Sequence, residues 1–176
     1  MPSSKTSATR STAAKKSASS KSDPQDALSL LAADHKEVDK LFKAYEKLVK
    51  DEADGDERLE ISQQICQMLS AHADIEEEIF YPALRGAMEE DDLLDEAEVE
   101  HASVKDLVSQ IEEMDPDDDL YDAKVKVLGE YVRHHVQEEE NEIFPKARKA
   151  ELDLAQLGTE LQARKQELMG ETEMDA

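Results

Sequence analysis

From Asp23-Pro24 onward, apolar residues return along this chain at intervals of three and four, the spacing of helices that each bury one face. A first helix is predicted over about residues 25–50, with Leu31, His35, Val38, Phe42, Tyr45 and Val49 on one side. It should end at DEADGD, where Gly55 breaks the helix and Asp56 can cap the next one. A second, over about 57–88, carries Ile61, Ile65, Met68, His72, Ile75, Glu76 and Ile79, with Pro82 expected to kink or interrupt it. Gly86 and EEDD mark the next boundary. A third helix, about 91–114, shows Leu94, His101, Val104, Val108 and Ile111 and stops at DPDDD, because the residue before a proline is pushed out of the helical region. A fourth, about 118–149, shows Val125, Leu128, Val132, His135, Glu139 and Ile143, with Pro145 near its end. A shorter fifth segment, about 151–168, lines up Leu154, Leu157, Leu161 and Leu168 and should pack across the others as a lid or brace.

Long helices joined by short connections must lie antiparallel, so the first four predict an all-α, up-down-up-down four-helix bundle. The chain divides accordingly into a tail over 1–23, a bundle over 24–149, and a C-terminal helix with a short acidic end over 150–176. The tail is rich in Ser, Thr, Ala and Lys with little to bury and should be disordered. The length of 176 residues suits one domain with tails. Five glycines, five prolines and no tryptophan favour helix formers over strands.

Charge narrows the partners. The chain carries −23, yet residues 1–22 hold five cations and no acid, which leaves the remainder at −28. So acidic a body repels phosphate backbones and anionic membranes and tolerates cations. Nucleic acid is therefore expected at most weakly, through the basic tail, and no apolar run approaches a membrane span. The lone Cys66 reads as a core-edge filler, and a reducing, cytoplasmic setting is the expectation. Nothing in the composition asks for more than a monomer or weak oligomer.

The chemistry lies on the buried faces. The chain repeats itself: each predicted hairpin carries one early histidine and then His-x-x-x-Glu, 37 residues apart from His35 to His72 and 34 from His101 to His135. Residues four apart on a helix share a face, so His72 points with Glu76 and His135 with Glu139. Four imidazoles and two carboxylates on interior stripes need a compensating charge, and a pair of metal ions supplies it. Imidazole with bridging carboxylate suits iron, manganese or zinc. A symmetric division gives each ion two histidines, with Glu76 and Glu139 shared. Even with a bridging oxide or hydroxide, at least one ion keeps an open position for dioxygen, peroxide, nitric oxide or water. His134 could form a rival pair with Glu138, but only His135 repeats the ten-residue spacing to proline seen from His72 to Pro82. Tyr131, one turn before His135, could reach a bound ligand through its hydroxyl. Tyr45 reads as packing, and Glu77, Glu78, Glu138 and Glu140 as a solvated face.

ADHKEVDKLF, HADIEEEIFYP, VEHASVKDL and HHVQEEENEIFP resemble the successive signatures of the hemerythrin-like family, the HHE cation-binding domain, over about residues 26–149. The resemblance implies a four-helix bundle around a non-haem di-iron centre with His35, His72, Glu76, His101, His135 and Glu139 as iron ligands; manganese or zinc is the lesser expectation. One departure stands out: oxygen-carrying members have a further histidine one turn after the third-helix ligand, where this chain has Lys105. Reversible oxygen carriage is thus not the natural expectation. Binding of dioxygen, peroxide or nitric oxide in sensing, storage or stress response is the leading functional expectation, and catalase-like peroxide decomposition the alternative. A ferritin-like mineralising site would want two Glu-x-x-His pairs, and only Glu98 with His101 fits. A metal-free helical scaffold is the remaining alternative.

Overall fold

The computed structural model describes residues 25–89 and 91–174, and the expected disordered stretch over 1–23 lies outside them. Four rods make the bundle: α1 (Ala27–Lys50), α2 (Gly55–Ile75) continuing into α3 (Tyr81–Arg85), α4 (Asp92–Glu112), and α5 (Tyr121–Glu138) continuing into α6 (Phe144–Lys149). α1 packs on α2 and α5, and α4 packs on the same two, so successive rods are antiparallel neighbours around a square. α7 (Leu154–Met174), longer than the segment predicted over 151–168, crosses α1 and α2 on the outside.

Local chemistry sets the helix ends. Asp26 caps α1 by accepting from the Ser29 N–H at 2.8 Å. At the next start the cap is Asp54, which accepts from the Glu57 N–H at 3.0 Å, and Gly55 is already helical; the capping assigned to Asp56 belongs two residues earlier. The turn before it is made by Glu52, whose φ of 55° brings the chain round without a glycine. Val49, expected on the inner face, is exposed near the end of α1.

Pro82 does not break its rod. Glu76–Phe80 forms a π turn instead, in which the Tyr81 N–H donates to the Glu76 carbonyl five residues back, and Glu139–Ile143 repeats it with the Phe144 N–H donating to Glu139. A proline lacks the N–H that an α ladder needs and crowds the carbonyl four residues earlier. Widening the preceding turn by one residue relieves both conflicts while the rod continues. Such turns favour functional sites because they rotate the following side chains relative to the preceding ones. Here they fall at the two inward glutamates.

The buried side chains form two clusters. One contains Leu31, Phe80, Tyr81, Leu84, Leu94 and Phe144 and is covered by Leu154, Leu157, Leu161 and Leu168 of α7. The other, toward the opposite end, contains Val38, Phe42, Ile65, Leu69, Val104 and Leu128. Cys66 sits in it as expected; burial, with Glu112 adding to it, pushes its thiol up to about 12. Between these clusters lies a layer of buried histidines and glutamates.

Candidate metal centre

α1 contributes His35, α2 with its π turn His72 and Glu76, α4 His101, and α5 with its π turn His135 and Glu139. All six are buried, and both glutamates are 0% exposed. The rival register is closed, because the His134 side chain is 62% exposed and faces Glu100 and Glu138 on the surface. Glu98 likewise turns outward to Arg85, so no Glu-x-x-His pair lies inside, among the described residues.

Each imidazole is oriented from outside by a carboxylate on Nδ1. Glu140 lies 2.8 Å from His35, Glu77 lies 2.9 Å from His101, Glu100 lies 2.7 Å from His135, and Asp34 lies 3.3 Å from His72. A carboxylate can only accept, so Nδ1 carries the proton and each ring turns a bare Nε2 inward. Glu77 and Glu140, expected on a solvated face, thus hold two of the rings. Glu78 fits the surface expectation and is bound there by Arg164.

The inward atoms converge in two groups that share Glu76: His35, His72, Glu76 and Glu139 in one, Glu76, His101 and His135 in the other, with ligand atoms within 4.8 Å of one another. Glu139 Oε2 stands 3.9 Å from His135 Nε2 and so leans toward the second group as well. His35 Nε2 is 3.1 Å from Glu139 Oε2, and His72 Nε2 is 3.0 Å from Glu76 Oε1. None of these four atoms has a hydrogen-bond partner although all are buried. Two bare nitrogens, His101 Nε2 and His135 Nε2, also face each other at 3.1 Å. Donors bonded at right angles to one ion at about 2.0–2.2 Å stand about 3 Å apart, so these separations fit the edges of a coordination shell. Four bare nitrogens and two buried carboxylates, one of them common to both groups, make a donor set that suits transition-metal cations.

Without a cation the site must protonate. Burial pulls the His72 imidazolium down, but Glu76 and Asp34 outweigh it and lift the ring to about 10. His35 and His101 are raised in the same sense, again against burial, by Glu139 and Glu76 respectively. Burial raises the Glu139 carboxyl, and the charge of Glu76 adds to this, so those two carboxylates share their space at a cost. Burial would raise Asp34 too, but His72 and Lys165 hold it below its usual range.

Two tyrosines change places relative to expectation. Tyr131 is 50% exposed and makes no approach to the site. Tyr81 takes the inner position, its hydroxyl 3.3 Å from Glu76 Oε2 and from Glu139 Oε1 and 3.4 Å from His101 Nε2. The π turn delivers it, because the residue five places after Glu76 returns to the same face. At the equivalent place in the other hairpin Phe144 stacks on His35, ring centroids 5.9 Å apart. Tyr45 is packing, as expected, with its hydroxyl donated to Asp122. Lys105, standing where a fifth histidine would be, leaves the interior and binds Asp74 at 3.0 Å and Glu77 at 2.8 Å.

On the side away from Tyr81 the four imidazoles border a cavity of about 30 Å³, closed by Val38, Leu69, Val104, Val132 and Val136. That is the room of about one water.

The profile of the hemerythrin HHE cation-binding domain matches residues 26–147. A DNA nickase of Nostoc sp. is 31% identical over 115 residues, which is 65% of this chain but 31% of that protein, so the chain spans about a third of that relative's length. A crystal structure of a hemerythrin HHE cation-binding domain-containing protein from Mycobacterium kansasii superposes with a TM-score of 0.69 at 24% identity, covering 83% of this chain and 88% of that one. Two repeated hairpins, a polar layer of four imidazoles and two carboxylates, and a match across nearly the whole bundle place the chain in the hemerythrin HHE cation-binding family.

Proposed function

We propose that this chain is a non-haem di-iron protein in which His35, His72, His101 and His135 hold two irons, with Glu76 and Glu139 between them. We further propose that it binds a small ligand such as dioxygen, peroxide or nitric oxide in a sensing, storage or stress-response role. The observation that carries the reading is the set of four buried, partnerless atoms of His35, His72, Glu76 and Glu139 beside a cavity of diatomic size. When bound, the irons supply two redox-active Lewis-acid centres able to take such a ligand. Around them the chain's own residues have separate tasks. The carboxylates on Nδ1 hold the rings, the valines and Leu69 exclude bulk water, and the Tyr81 hydroxyl keeps a proton between the two glutamates.

Lining the cavity, among the described residues, only the imidazoles and Asp34 titrate, and Asp34 is occupied by His72 and Lys165. With no free acid aimed at the ligand, binding is favoured over turnover. Peroxide decomposition is the second reading, supported by Lys105 standing outside and leaving a coordination place that no histidine fills. The activity named for the nickase is not assigned to this chain, whose part beyond residue 22 carries −28 and repels DNA. Any nucleic-acid contact is proposed only for the basic residues 1–22. A cytoplasmic setting agrees with the buried, unreactive Cys66, and no helix among the described residues is long and apolar enough to cross a membrane.

Anaerobic loading with ferrous iron followed by metal analysis and optical spectroscopy tests the centre. Two irons per chain and a charge-transfer band that responds to azide or nitric oxide are expected. Less than one iron per chain sinks the proposal. Oxygen release from peroxide above that of free iron, abolished by His72→Ala, would move the assignment to the enzyme.

A further inference from the structure

The four carboxylate–imidazole pairs follow the hairpin repeat. Asp34 on His72 and Glu100 on His135 join rods within a hairpin, whereas Glu77 on His101 and Glu140 on His35 join one hairpin to the other. The repeat fails one atom further out. Asp34 receives Lys165 on its second oxygen, while Glu100, its counterpart, faces His134. Asp34 is buried, and the Lys165 side chain is partly buried with it.

Lys165 belongs to α7, outside the four rods and beyond residue 147, where the family match ends. Its delivery is built into the packing. α7 crosses the start of α1 at Gly158, where a Cβ would stand 2.2 Å from the Gln25 carbonyl oxygen, so only glycine permits the approach. Six and seven residues on, about two helical turns, Arg164 and Lys165 reach the other rods together: Arg164 donates to Glu78 at 2.7 Å and Lys165 to Asp34. The Arg164 contact is exposed and serves as a clamp. An ammonium inserted against a buried carboxylate has a different consequence, because that carboxylate holds one of the four rings.

We propose that Lys165 is a positioning residue of the metal centre: by occupying one oxygen of Asp34 it fixes the other on His72 Nδ1 and offsets the negative charge that Asp34 lends to that ring. The inference rests on the reading of the site as a metal centre. A carboxylate on a ligating histidine orients the ring and raises its donor strength. A cation on that carboxylate keeps the orientation and weakens the donation. The C-terminal helix is then a means of setting the charge balance on the His72 side, and Lys105 on Glu77 does the same for His101 from within the bundle.

Iron-loaded, full-length variants compared by midpoint potential test it. Lys165→Met should lower the potential, since losing a positive charge favours the ferric state. Asp34→Asn should raise it, and Lys165→Arg should restore the wild-type value. Arg164→Ala, which loosens the same helix without touching Asp34, should leave it unchanged. Mere loosening of α7 would move Lys165→Met and Arg164→Ala together and could not produce opposite signs for Lys165→Met and Asp34→Asn. The inference is overturned if Lys165→Met keeps the wild-type potential, if Arg164→Ala reproduces its shift, or if Lys165→Met shifts an Asp34→Asn background as much as wild type. Should Lys165→Met fail to fold, a potential unmoved by Asp34→Asn overturns it equally. A wild-type chain that takes up no iron removes the metal reading itself, and this inference with it.

Discussion

Stripping the metal should expose the cost of the polar layer, and one substitution should change sign with it. Four buried atoms, His35 Nε2, His72 Nε2, Glu76 Oε1 and Glu139 Oε2, have no hydrogen-bond partner. Each such atom costs about 1–3 kcal/mol. With neutral rings they cost together about 4–12 kcal/mol, comparable with the whole net stability of a domain, about 5–15 kcal/mol; where the stripped rings are protonated, His72 Nε2–H can donate to Glu76 and His35 Nε2–H to Glu139, and the cost falls toward the lower figure. A cation that satisfies all four returns that amount, and at the lower bound a chain of this size melts about 8–16 °C higher. Circular-dichroism melts of chelator-stripped and zinc-loaded protein measure the gain without redox chemistry. Glu139→Gln adds the sign test. Burial and the charge of Glu76 disfavour the ionised Glu139 carboxyl, so removing its charge should raise the melting temperature of the stripped protein. The same change weakens a shared ligand and should shrink the gain on loading. A stripped protein that gains nothing on zinc loading, or a Gln variant that melts lower than wild type when stripped, would refute the reasoning, since the first leaves the polar layer without a cost and the second leaves the Glu139 charge without a penalty.

The stripped protein should also lose stability between about pH 6.5 and 10: the His72 ring is raised to about 10 when folded, so its contribution is fully present below its ordinary 6.5 and disappears as pH rises through the folded value. His35 and His101 act in the same direction, and the metal-loaded protein, with neutral rings, should show little of this slope; urea titrations across the range decide it. Tyr81→Phe removes the donor between Glu76 and Glu139 and should cost the stripped protein about 1–2 kcal/mol, read as a lower urea midpoint at unchanged m-value. Gly158→Ala sets a methyl against backbone at 2.2 Å and should cost about 1–3 kcal/mol while loosening α7, seen as faster proteolysis beyond residue 150.

The bundle was legible because its information is periodic. Leu31, Val38 and Phe42, or Leu128 and Val132, repeat at helical intervals over many turns, and short connections leave long helices only one simple arrangement. The four histidines and two glutamates were legible for the same reason: charged and polar groups on an otherwise apolar stripe are conspicuous. What escaped was information held in single residues. Asp54 and Asp56 are equally able caps on paper, and the one used is Asp54, the first acid able to accept after the backbone reversal at Glu52.

The exchange of Tyr131 for Tyr81 has a physical cause that sequence periodicity hides. Tyr131 shares a face with His135 to within about 40° in a regular helix. But His135 already sits at the edge of the buried stripe formed by Val125, Leu128 and Val132, and a further 40° outward, roughly, puts the phenol in solvent. Tyr81, five residues after Glu76, falls about 140° from it in regular α geometry and is excluded only while that geometry is assumed. The π turn removes the discrepancy, and both hairpins announce it in the same way, with a proline six residues after the inward glutamate at Pro82 and Pro145. The acids beside the ligands carry a similar signal. Asp34 and Glu100 immediately precede the early histidines, and Glu77 and Glu140 immediately follow the inward glutamates, so each occupies matching places in the two hairpins. An acid on a solvated face has no reason to respect that repeat; an acid that must reach the outer nitrogen of a ring on a neighbouring rod does.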